Sequence, residues 1–133
     1  MINEFIPYEE ALALKELGFK EGCFGYYRND DEILFPFTYY EGQFDDLTLA
    51  PLYQQAFRWF RDKHNLWEEV KVQDNVRLGK QKFYWLIFGE YTSYEGNPWV
   101  RAKADSNDVY YSTYEEAQKA CLRKLIEIVK ENL

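Results

Sequence analysis

One histidine, His64, and two cysteines, Cys23 and Cys121, are all the imidazoles and thiols that this 133-residue chain holds. His64 has no cysteine or second histidine near it in sequence to make a tetrahedral metal set, and no cofactor is expected. Basic residues are also short: 16 Lys and Arg stand against 23 Asp and Glu, for a net charge of −7. Affinity for nucleic acid comes largely from Lys and Arg that neutralise phosphates, so this balance disfavours a nucleic-acid-binding module and favours neutral or basic partners. Long apolar runs are missing too. None approaches the roughly 20 residues that a membrane helix requires, which predicts no membrane association. The opening Met1-Ile2-Asn3-Glu4-Phe5-Ile6-Pro7 has neither a basic n-region nor an apolar h-region. That predicts no secretion signal, a cytoplasmic location and a reduced pair of thiols.

Aromatics are what the chain has in surplus: 12 Tyr, 10 Phe and 4 Trp, 20% of all residues. Tyr and Trp join apolar area to a polar tip and so serve cores and protein interfaces equally well. Hydrophobic residues make up 47%, which is ample for one domain of common size with a real core. There is no internal repeat and no linker, so residues 1–133 read as a single domain.

The first helix is expected from Pro7 to Leu17, with Pro at the first helical position and Glu9 and Glu10 at the positive end of the dipole. Gly18 supplies a left-handed stop, and Phe19 can fold back on Leu14 in a Schellman motif. Two extended runs, Cys23 to Arg28 and Ile33 to Tyr40, flank the polar Asn29-Asp30-Asp31-Glu32 and predict a hairpin. Pro36 cannot donate to a ladder, which places the second run at an edge. A second helix is expected from Pro51 to His64-Asn65, with Leu52, Tyr53, Ala56, Phe57, Trp59 and Phe60 on one arc and Gln54, Gln55, Arg58, Arg61 and Asp62 on the other.

Leu66 to Val72 predicts a strand. Phe83-Tyr84-Trp85-Leu86-Ile87-Phe88, apolar throughout, predicts a central strand covered on both faces. Trp99 to Ala104 and Val109 to Tyr111 suggest a further strand or an irregular hairpin. In the last helix Thr113 and Glu116 match a capping box. Tyr114, Ala117, Cys121, Leu122, Leu125, Ile128 and Val129 form its apolar face, and it is expected to run to about Lys130. The sum is an α+β fold: an antiparallel sheet of four to five strands with three helices, in the order α-β-β-α-β-β-(β)-α.

No set of convergent titratable groups stands out. His64 falls in the last turn of the second helix, where a polar tip meets the negative end of the dipole, and that explains it without catalysis. Cys121 lies inside an apolar helix face and reads as a small buried hydrophobe. Cys23 has thin local support for a lowered pKa, only Lys20 and Arg28. The acids of Asn29-Asp30-Asp31-Glu32 and Asp45-Asp46 lack the spacing of a calcium loop. Glu9/Glu10 and Glu115/Glu116 are first-turn acids, as dipoles prefer. One stretch is suggestive: Tyr91, Tyr94 and Trp99, set among Thr92, Ser93, Gly96, Asn97 and Pro98, combine rigid aromatics with adaptable polar groups as binding loops do. The alternative is that these rings fold back over the sheet. The order helix–strands–helix near the end of the chain is topologically like a double-stranded-RNA-binding domain. Tyr114-Glu115-Glu116, however, would repel phosphates where such a domain presents lysines.

Three segments, taken in order, carry a resemblance. They are Ala13-Leu14-Lys15-Glu16-Leu17-Gly18-Phe19; Ala50 to Leu66, with its Trp59-Phe60-Arg61-Asp62-Lys63-His64-Asn65-Leu66; and Thr113-Tyr114-Glu115-Glu116-Ala117 leading into Leu122-Arg123-Lys124-Leu125-Ile126. In these the chain resembles a group of small proteins of unknown function from phages, prophages and mobile elements of the Bacteroidetes. The resemblance implies a bacterial or viral cytoplasmic context and brings no activity, cofactor or catalytic residue with it. The function expected is that of a non-enzymatic interaction or accessory protein, its partner a host or phage protein. A homodimer, if formed, is expected through helix or loop surface. The alternative, a small enzyme or ligand-binding protein, requires His64, Cys23 and a carboxylate in one cleft.

Overall fold

The computed structural model describes residues 4–29, 32–34, 47–75, 80–89, 104–106 and 109–133. Among these are three α-helices and two antiparallel three-stranded sheets, which make the protein α+β as its sequence pattern predicts. The strands are divided between two sheets where one was expected. The chain forms two compact units, Met1–Trp59 with Ile126–Leu133, and Phe60–Leu125.

In the first unit, α1 (Tyr8–Glu16) begins one residue later than the sequence suggests. Pro7 is the N-cap, with φ −63° and ψ 158°, and not the first helical residue; its extended ψ turns the chain into the helix. The helix ends as expected. Gly18 takes φ +100°, the Phe19 N–H donates to Leu14 O at 2.9 Å and the Gly18 N–H donates to Lys15 O at 3.1 Å, which is the Schellman pattern. Phe19 and Leu14 are both buried.

β1 (Gly25–Asn29) pairs antiparallel with β2 (Glu32–Leu34), the expected hairpin, with β2 an edge strand among the described residues. Pro36 and the remainder of the second run lie outside them. The other partner of β1 is β3 (Thr48–Ala50), a strand that the sequence reading did not include. At three residues β3 is too short to show a period. Its burial, complete along its length, comes from its place beside β1.

α2 (Tyr53–His64) buries Tyr53, Ala56, Phe57, Trp59 and Phe60 and exposes Gln54, Arg58 and Asp62, much as its periodicity dictates. Its start carries half of a capping box: the Leu52 N–H donates to Gln55 Oε1 at 2.9 Å. Gln55 also donates through Nε2 to Gly22 O at 3.1 Å, tying the helix to the loop before β1. The rings of Phe19 and Trp59 meet edge-on with centroids 5.6 Å apart.

In the second unit, β4 (Trp67–Asn75), β5 (Lys80–Phe88) and β6 (Ala104–Asp105) stand in the order β4-β5-β6, so β5 is central as predicted. Its cover is uneven. Trp85 and Ile87 are buried while Tyr84, Leu86 and Phe88 are half-buried. Phe83 is half-buried as well, so the expected cover on both faces is complete only at Trp85 and Ile87. Tyr111 extends the ladder by a bridge to Phe83.

α3 (Tyr114–Glu131) starts at Thr113, whose Oγ1 accepts the Glu116 N–H at 3.1 Å. Ala117, Cys121, Leu122, Leu125, Ile128 and Val129 are buried as expected. Tyr114 departs from that face: it is 40% exposed, and its ring leans edge-on against Phe83 at 6.0 Å.

Candidate functional site

Tyr91, Tyr94 and Trp99, the rings in which the sequence suggested a binding loop, lie outside the described residues. So do Asp30, Asp31, Asp45 and Asp46. Glu32, the last residue of the first acidic stretch, forms an exposed ion pair with Arg28 at 3.8 Å. Among the described residues no group of three His, Cys, Asp or Glu is arranged to hold a metal ion. Glu115 and Glu116 are exposed in the first turn of α3. Glu9 is exposed, whereas Glu10 is buried beside Tyr27. Burial, and then the Glu10 charge, raises the Tyr27 phenol above its ordinary pKa, and its hydroxyl donates to the Ile6 carbonyl.

The two thiols are free, buried and in different units. Burial, followed by the charge of Glu21, pushes the Cys23 pKa up to about 12; its Sγ donates to Glu21 O at 3.3 Å. Burial also raises the Cys121 thiol, with the charge of Glu68 adding to it. A nucleophilic cysteine requires the opposite shift. Both thiols should therefore resist a disulfide reagent in the native protein at neutral pH and react at once in denaturant. Fast native labelling of Cys23 would overturn that environment.

His64 closes α2, and its ring lies 6.0 Å from that of Phe60. Burial lowers its pKa from the usual 6.5, outweighing any attraction of a cation to the helix C-terminus. The unfolded chain then binds the proton more readily, so the stabilising contribution is complete above pH 6.5 and is lost as pH falls through the lower folded value. His64→Gln should narrow the stability difference between about pH 7.5 and about pH 5.5, read from urea midpoints. An unchanged or wider difference contradicts the burial of the imidazole.

Arg61 and Glu68 form a short-contact ion pair, with side chains 26% and 17% exposed. Burial raises the Glu68 pKa and the Arg61 charge opposes that rise. Arg61 also lies over the Trp67 ring, 5.7 Å from its centroid. The Trp67 Nε1–H donates to Asn65 Oδ1 at 3.1 Å, and Asn65 takes φ 52° to turn the chain out of α2.

The feature that sequence reasoning missed is a sheet face. Antiparallel partners share a face, and residues alternate along a strand. Trp67↔Phe88, Glu69↔Leu86 and Lys71↔Tyr84 therefore stand on the side opposite buried Trp85 and Ile87. Tyr110 joins them through an edge-on contact with Tyr84 at 6.1 Å, and Lys82 Nζ lies 5.9 Å from the Tyr110 centroid. Trp67 is 53% exposed and Tyr110 41%. The face thus combines five large apolar side chains with a few charges, among them the Glu69–Lys71 pair at 3.4 Å. The alternation of Glu69, Lys71 and Gln73 hinted at a wet face. Its aromatic content was hidden because the partners Tyr84, Leu86 and Phe88 sit in a run that reads as core.

Comparison with protein-family models, with curated proteins and with solved structures finds no match.

Proposed function

We propose that this is a small non-enzymatic interaction protein, an accessory factor of a phage or mobile element that works in the cytoplasm of a bacterial host, and that the aromatic face of β4 and β5 is its recognition surface. The observation that carries the reading is the partial exposure of Trp67 and Tyr110 beside half-buried Tyr84, Leu86 and Phe88 on one sheet face. Aromatics with wet polar tips are the residues that anchor protein interfaces. The raised thiol pKa values support a role without covalent catalysis. A protein partner suits this face better than a nucleic acid does, because Glu69 and Asp105 share it with Lys71 and Lys82 and leave no excess of positive charge. That no helix among the described residues is long and apolar enough to cross a membrane agrees with the same reading.

Immobilised wild type and a Trp67→Ser, Tyr110→Ser variant should be compared as baits in a bacterial lysate. A protein retained by the first and lost by the second is the expected result. Equal retention by both, or retention of nothing by either, contradicts the proposal.

A further inference from the structure

We infer that β4 is a self-pairing edge, through which two copies of the chain join antiparallel about a two-fold axis at Val70. The pairing is made by the outward backbone row of β4 and not by the aromatic rings, although Glu69 and Lys71, which set its register, stand on the same face as those rings.

The direction of the β4 backbone follows from its neighbours. Phe83 exchanges two hydrogen bonds with Tyr111, at 2.9 and 2.8 Å, and Trp85 O accepts from the Ser106 N–H at 3.2 Å. Odd residues of β5 therefore turn their backbone groups toward β6 and Tyr111, and even residues turn theirs toward β4. In an antiparallel ladder the N–H and C=O of one residue point the same way, so Lys71 and Glu69, opposite Tyr84 and Leu86, face β5. Glu68, Val70 and Val72 must then point their N–H and C=O groups outward. Among the described residues no backbone partner meets them there, and β4 has a sheet neighbour on one side only. Val72 is 51% exposed, and Glu68 and Val70 before it are half-buried. A nine-residue strand whose outward donors and acceptors have no partner among the described residues is a template for another strand.

Charge chooses the occupant and the register. With the axis at Val70, Glu69 stands opposite Lys71 of the second copy and Lys71 opposite its Glu69. Both fall in non-hydrogen-bonded pairs, where side chains approach most closely. Glu69 and Lys71 are 45% and 43% exposed, and turning to such partners exchanges their own 3.4 Å pair for two pairs across the seam. Shifting the axis by one residue sets Lys71 against Lys71 or Glu69 against Glu69, which like-charge repulsion opposes. The charges that would protect the edge from indiscriminate pairing thus favour one self-pairing. The expectation of association through helix or loop surface was tied to Pro36; the open edge is on the other sheet.

Light scattering across micromolar concentrations tests this. Wild type should show twice the 16.1 kDa mass of one chain. Lys71→Glu alone and Glu69→Lys alone should each weaken the dimer by about tenfold or more, since each turns two attractive cross-strand pairs into repulsive ones. The double exchange, Glu69→Lys with Lys71→Glu, should restore it. A strict monomer, or a dimer indifferent to both single reversals, overturns the inference, as does an exchange that fails to restore association in a chain that circular dichroism shows folded.

Discussion

Replacing Trp85 with Ala should cost about 3–5 kcal/mol of folding stability, the range for removing a buried large aromatic. Trp85 is 6% exposed on the central strand of its sheet and faces Val70 across the ladder. Its backbone is held on the other side, where the carbonyl accepts from the Ser106 N–H at 3.2 Å and the N–H meets Ser106 Oγ at 3.5 Å. The indole also carries a cost, since its buried Nε1–H has no acceptor among the described residues. Trp85→Phe therefore sheds an unsatisfied donor while leaving a small void, and the two effects should nearly offset, for a net loss of about 1 kcal/mol or less. Urea denaturation of both variants separates these contributions. A loss under about 1 kcal/mol for Trp85→Ala contradicts the central placement of the strand.

Phe60→Ala should be as damaging, again about 3–5 kcal/mol. The side chain is fully buried, and the Phe60 carbonyl accepts the Leu66 N–H at 3.2 Å where the chain leaves α2. A second readout tells loss of packing from global unfolding. The Phe60 ring is a neighbour of His64, whose pKa burial lowers, so water admitted by the Ala variant should bring the imidazole back toward 6.5. As the chain has one histidine, its imidazole protons are unambiguous in a proton NMR titration of wild type and of folded variant. A wild-type midpoint at or above 6.5, or no upward shift in the variant, contradicts the role given to Phe60.

Local grammar made much of this fold readable. The Gly18 stop, the Thr113 cap and the arcs of α2 and α3 depend on residues within one or two turns of one another, and, Tyr114 excepted, the structure places them as the pattern dictates. What long-range pairing decides was not readable. β3 exists because β1 lies beside it, and the division of strands between two sheets has no signature in any short window. The Phe83–Phe88 run shows the limit well. Its uniform hydrophobicity predicts cover on both faces, yet Tyr84, Leu86 and Phe88 on one face, and Phe83 on the other, are only half-buried. An apolar run has no phase, so it cannot say which face is wet. The site fared the same way. The sequence pointed to Tyr91, Tyr94 and Trp99, which lie outside the described residues. The aromatic face appears only once the β4–β5 register sets Trp67 opposite Phe88 and Lys71 opposite Tyr84.

That face is a recognition surface if its exposed rings matter to binding and not to folding, and the two are measured best in one variant. In the Trp67→Ser, Tyr110→Ser protein, each exposed site should change stability by about 0.5 kcal/mol or less. Affinity for the protein that wild type retains should fall by about tenfold or more, as loss of an anchor side chain implies. Denaturation midpoints and titration calorimetry on the same preparations give both values. Unchanged affinity together with a loss of several kcal/mol in stability would mean that Trp67 and Tyr110 serve the fold, and would contradict the function proposed.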